Sequence, residues 1–163
     1  MTSPPHPLDS VSMPVLLRHA RTAYGSAMRT ALAEAGYDDI PKNGLYVIGG
    51  LALQEGGHPL SELIEDLRIS KQAAGQLVDT LVTRGYLSRD VDAEDRRKLT
   101  IALTERGWAA AKVQATARAN VDAELLSCAG ADDVGRARRV LSILIHISHE
   151  LDARDANSRS SSL

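Results

Sequence analysis

At 163 residues, 44% hydrophobic and 25% charged, the chain has the make-up of a soluble globular protein large enough for one domain with a real core. A net charge of −2 counts against unspecific coating of nucleic acid without bearing on local patches, and no apolar run approaches the ~20 residues of a membrane span. Only 3% of residues are aromatic and none is Phe, so the core must come from Ala, Leu, Val and Ile, which favours closely packed helices.

The charge is unevenly spread. Residues 1–67 carry 4 Lys and Arg against 8 Asp and Glu, residues 68–98 carry 7 against 5, and residues 99–163 carry 8 against 8, so only the middle segment is net positive. Cys128 stands alone and cannot form an internal disulfide. Met1 to Val11 contains three Pro and no basic residue, unlike a secretory signal, and a cytoplasmic location is the expectation.

Apolar residues at Leu16, Ala20, Tyr24, Ala27, Met28, Ala31 and Ala35 have helical spacing, and Gly36 is placed to end that first long helix. A second helix is expected from Pro41 to about Gln54, before Gly56-Gly57-His58-Pro59 breaks it. A short third, Leu60 to Leu67, shares one apolar face. Ser70 then suits an N-cap for a helix that buries Ala74, Leu77, Val78 and Leu81 and exposes Lys71, Gln72, Gly75, Gln76, Asp79 and Thr80. Gly85 stops it.

Two strands follow, Tyr86 to Arg89 and the segment leading through Leu99 to Leu103, joined by a tip carrying Asp95, Arg96, Arg97 and Lys98. Thr104 caps a fifth helix to about Leu126, and Ala131 to Ala153 forms a sixth. Between Leu141 and Ile147 only Ser142 and His146 interrupt the apolar residues, so this last helix needs neighbours on more than one side. A second copy of the chain is the economical source, with Leu16, Ala20, Leu141, Leu144, Ile147 and Leu151 as the expected interface.

A helix pair followed by a cationic hairpin is the layout of a winged helix-turn-helix. Ser70 and Lys71 at the positive end of the helix dipole suit phosphate, Gln72 and Gln76 one turn apart suit adenine edges, and the small Ala73 and Gly75 let the backbone approach. Arg96, Arg97 and Lys98 suit phosphate or a minor groove, with Asp95 positioning a guanidinium. Each of these residues taken alone also fits an ordinary solvated surface.

The sequence resembles the MarR family of winged-helix regulators from about Val15 to Leu151. The resemblance rests on Leu60-Ser61-Glu62-Leu63, Ile69-Ser70-Lys71-Gln72, Leu77-Val78-Asp79-Thr80-Leu81, Arg84-Gly85-Tyr86-Leu87, and Asp95-Arg96-Arg97 followed by Leu103-Thr104-Glu105-Arg106-Gly107. It implies a mainly α fold with a small β-hairpin wing, a homodimer held by long N- and C-terminal helices, and double-stranded DNA with a palindromic operator as partner. It further implies a repressor released by a small-molecule effector, in a pocket lined by His19, Tyr24, Tyr46 and Trp108. Many relatives carry Arg or Lys where this chain has Gln76 and Thr80, which shifts the expected backbone contacts toward the wing.

The expected organisation is a disordered tail over 1–12, a dimerisation helix over 13–36, a DNA-binding lobe over 37–104, two dimerisation helices over 105–153 and a disordered tail over 154–163. No nucleophile motif, phosphate-cradling loop or metalloprotease sequence occurs, so neither catalytic residues nor a cofactor are expected. His146 and His149 lie three apart but lack a third ligand nearby, so no metal site is expected, and Cys128 is assigned a structural role. The competing class is a winged-helix protein-interaction module that does not bind DNA.

Overall fold

The computed structural model describes Leu8 and residues 10–53, 58–59, 69–91 and 99–160. Among the described residues the elements run α1 (Met13–Glu34), α2 (Gly44–Ala52), β1 (His58–Pro59), α3 (Lys71–Thr83), β2 (Leu87–Val91), β3 (Leu99–Leu103), α4 (Glu105–Ala129) and α5 (Ala131–Ser160). The chain divides into two compact units, residues 1–121 and 122–163. The expected third helix, Leu60 to Leu67, and the wing tip, Asp95 to Lys98, lie outside the described residues.

In the first unit, apolar faces from α1, α2, α3 and α4 converge with the sheet on one core that contains Leu32, Val47, Ile48, Val78, Leu81, Ile101 and Ala110. Its largest fully buried side chain among the described residues is Tyr86, so one of the few aromatics sits where aliphatic residues were expected to do the filling. The sheet is antiparallel in the order β1-β3-β2, with Leu87 opposite Leu103 and Val91 opposite Leu99. β1 adds a two-residue edge, His58 opposite Ile101 and Pro59 opposite Thr100. Sequence reasoning missed it: two residues carry no alternating pattern, and Pro, which lacks an N–H, is tolerated only at such an edge.

Helix ends follow local chemistry. α1 and α3 close the same way, with Gly36 and Gly85 at positive φ (82° and 75°). In each, the amide of the next residue reaches back across the last turn, Tyr37 N to Leu32 O at 2.8 Å and Tyr86 N to Leu81 O at 2.9 Å. This is the Schellman closure, which only Gly accommodates without strain. α2 begins at Gly44, three residues later than expected, because Pro41 to Gly44 forms a turn closed by Gly44 N to Pro41 O at 2.7 Å.

The 2.5 Å bond from the Thr104 hydroxyl to the Gly85 carbonyl, together with the Gly107 amide reaching the Thr104 oxygen at 3.1 Å, fixes the start of α4 against the end of α3. Gly107 is indispensable to that junction. A Cβ there would lie 2.2 Å from the Tyr86 carbonyl oxygen, so the Leu-Thr-x-x-Gly run of the sequence is a capped helix start that must touch backbone.

The second unit comprises the end of α4 and α5. The latter runs to Ser160, so residues 154–160, expected as a disordered tail, extend the helix. No Gly or Pro interrupts Leu151 to Ser160, and Ala153, Arg154 and Ala156 are good helix formers. Val140, Leu141, Ile143, Leu144, Ile145, Ile147 and Leu151 are all at least 40% exposed, an apolar surface too large for a solvated helix. Cys128 is exposed and its thiol faces the Glu124 carboxylate, so it fills no core.

Candidate nucleic-acid interface

α3 presents the polar face that sequence reasoning assigned to DNA. Ser70 caps it, its hydroxyl oxygen accepting from the Ala73 amide at 3.2 Å, at the positive end of the helix dipole. Ala74, Val78 and Leu81 are buried beneath, and Lys71, Gln72, Ala73 and Gln76 are exposed above, with Gly75 half-buried and no atom near its missing Cβ. Free space at Gly75 beside an exposed Ala73 is what close backbone approach to a groove requires.

Three neighbouring residues have partners that their spacing along the chain did not assign. Thr80 is half-buried and donates its hydroxyl to the Gln76 carbonyl at 2.8 Å, so it belongs to the helix more than to the face. Asp79 pairs with Arg89 of β2 at 2.5 Å, which joins the helix to the wing strand and neutralises an acid that would otherwise face phosphate. Arg84 donates to the Asp39 backbone carbonyl, which ties the end of α3 to the connection between α1 and α2.

Asp39 sits in a polar junction that spacing along the chain does not reveal. Its carboxylate accepts from the Tyr86 hydroxyl and from Arg106, at 3.2 and 3.4 Å for the two oxygens. Arg106 also donates to the Tyr86 oxygen at 3.0 Å and stacks over its ring, 4.5 Å from the centroid, and the Tyr37 ring meets the Tyr86 ring edge-on at 6.2 Å. Burial, reinforced by the Asp39 carboxylate, pushes the Tyr86 phenol above its ordinary pKa, and the hydrogen bond to Tyr86 holds Arg106 the more firmly protonated.

The expected effector lining comes together only in part. A cavity of about 260 Å³ opens beside α1 and the start of α2, lined by Arg18, Arg21, Arg29, Lys42 and Tyr46 among others, with no acidic side chain among the described residues of its wall. Arg21 lies over the Tyr46 ring at 4.4 Å. Tyr46 is thus the one expected residue that lines it. His19 is exposed on α1, Tyr24 is packed against the core, and Trp108 is 50% exposed, because each falls on a different side of its helix. Among the described residues no group of three His, Cys, Asp or Glu is placed to hold a metal ion, and His146 instead contacts Glu150 at 3.3 Å. No helix among them is long and apolar enough to cross a membrane.

A capped helix with an open polar face, followed by an antiparallel wing whose second strand runs into a capped helix, defines a winged-helix lobe. Residues 39–98 match the model of the MarR family, the family that the sequence motifs resemble. No curated protein sequence matches. The fold is similar to MepR of S. aureus in its DNA-binding conformation (19% identity, TM-score 0.68, covering 83% of this chain and 97% of that one). It is similar also to wild-type MarR of E. coli in its apo form (19%, TM-score 0.64, 83% and 98%). A point mutant of S. aureus MepR bound to an oligodeoxyribonucleotide matches at 19% and TM-score 0.55, over 84% and 98%. At these identities the likeness is one of fold.

Proposed function

We propose that the protein is a homodimeric transcription regulator that binds a palindromic double-stranded operator and represses until a small anionic effector releases it. The observation that carries this reading is the α3 face: exposed Lys71, Gln72 and Gln76 over a buried Ala74, Val78 and Leu81, with an open approach at Ala73 and Gly75, in a lobe of MarR type. Gln72 and Gln76 would read adenine edges, Lys71 and the Ser70 end of the helix would hold phosphate, and Arg96, Arg97 and Lys98 would add wing contacts. The exposed apolar surface of α5 supports a second copy, which would cover Leu141, Leu144, Ile147 and Leu151 together with Leu16 and Ala20 of α1. The cation-lined cavity at Tyr46 supports an anionic effector, since Arg18, Arg21, Arg29 and Lys42 offer charge-assisted bonds and a stacking surface. On this reading the protein is not an enzyme and acts in the cytoplasm.

The test is enrichment of duplexes from a randomised pool by the intact protein. The expected result is an inverted repeat with half-sites one helical turn apart, or a multiple of it. Arg97→Ala should then lower the log-log salt slope by about one unit per lost phosphate contact in each protomer. A pool that yields no enriched sequence would favour the protein-interaction module instead.

A further inference from the structure

The C-terminal ends of α1 and α3 are built alike and are fastened to each other. Each closes on a left-handed glycine followed by a tyrosine, and those tyrosines, Tyr37 and Tyr86, meet edge-on. Asp39 spans the junction: its carboxylate holds the Tyr86 hydroxyl and Arg106, and its carbonyl holds Arg84 at the last turn of α3. Both arginines therefore contact Asp39, 45 and 67 positions away in sequence.

We propose that Asp39 is a positioning residue for DNA reading: it sets the rotation and tilt of α3 by clamping the helix end to the α1–α2 connection and to the start of α4. This rests on the DNA-binding reading above. Of the residues that would read bases, Gln72 lies at the far end of a 13-residue helix from the clamp and Gln76 near its middle. Small errors in axis or rotation there displace both amides. Bidentate base contacts tolerate deviations of only ~0.5 Å, whereas long lysine and arginine side chains follow a phosphate through larger shifts. Releasing the clamp should thus reduce selective binding and spare unselective binding.

Asp39→Ala and the shape-conserving Asp39→Asn are compared with the parent on two probes: a duplex enriched by the parent protein from a randomised pool, and a duplex of scrambled sequence. The expected result for Asp39→Ala is an affinity at least tenfold lower on the enriched duplex and within twofold on the scrambled one, with the salt slope unchanged. Asp39→Asn, which keeps an acceptor for Tyr86 and weakens the hold on Arg106, should fall between. Tyr86→Phe added to Asp39→Ala should change selectivity no further, because both act through one junction. Thermal melting of each variant fixes the folded fraction at the assay temperature, and should Asp39→Ala not fold, Asp39→Asn alone carries the comparison. Parental affinity of the folded variants for the enriched duplex overturns the proposal. So does an equal gain on both duplexes, the signature of an acid that merely repels phosphate. Failure of the parent to enrich any duplex overturns the DNA-binding reading and this inference with it.

Discussion

Gly107→Ala places the heaviest demand on the architecture of the lobe. At an ordinary helix position the change stabilises by about 1 kcal/mol. Here the added Cβ would lie 2.2 Å from the Tyr86 carbonyl oxygen and 3.0 Å from a Leu103 methyl. The oxygen is backbone and cannot rotate aside, and an ordinary carbon–oxygen contact needs about 3.3 Å, so α4 must retreat from β2 by roughly 1 Å. That retreat breaks the 3.1 Å bond from the Thr104 amide to the same oxygen and strains the 2.5 Å bond from the Thr104 hydroxyl to Gly85. A buried acceptor left unpaired costs about 1–3 kcal/mol and the overpacking about 1–3 more. Set against the helix gain, the net loss is about 1–5 kcal/mol. Urea unfolding at fixed protomer concentration measures it. A change below about 0.5 kcal/mol, or a gain, would show that the lobe accommodates the methyl and that this close contact does not constrain the fold.

Gly75→Ala is the opposite case: nothing lies near its Cβ, so the variant should gain about 1 kcal/mol in stability. It should also bind an enriched duplex more weakly, and undiminished affinity would mean that α3 stays out of close backbone contact with DNA. Gln114 is fully buried on α4 with neither amide atom hydrogen-bonded among the described residues. Gln114→Met should therefore raise stability by about 1–3 kcal/mol, and a loss measured by the same unfolding assay would reveal a native partner for the amide. Leu144→Asp introduces a carboxylate on the apolar surface of α5, where Leu144 is 41% exposed. Within a dimer interface this costs several kcal/mol, so sedimentation should show a monomer or an unfolded chain, whereas an intact dimer would place the interface elsewhere.

What the sequence determined by itself is local. Helical spacing of apolar residues located α1 and α3, Ser70 and Thr104 announced the caps of α3 and α4, and Gly36 and Gly85 announced where α1 and α3 end, because caps and left-handed turns are properties of a few consecutive residues. The Leu99 to Leu103 strand running into a capped helix was legible for the same reason, and so was the apolar girth of α5. The motif around Thr104 was readable as a pattern, yet only the tertiary structure shows why its glycine is needed, since the Tyr86 carbonyl it touches lies in the turn between α3 and β2.

Tertiary structure alone decided everything that depends on distant pairing. Folding set Asp39 against Arg84, Tyr86 and Arg106, partners 45 to 67 positions away that no spacing along the chain reveals. Asp79 was paired with Arg89 by the position of β2. Of the four residues expected around an effector, Tyr46 alone reached the cavity, because helical periodicity gives the face a residue occupies but not which neighbour covers that face. The cavity's cations, Arg18, Arg21 and Arg29 on one helix and Lys42 on the next segment, converge only once α1 and α2 pack together. Spacing within an element sets caps, periodicity and turns; the angle at which elements meet sets which charges are neutralised and which are left to face a ligand.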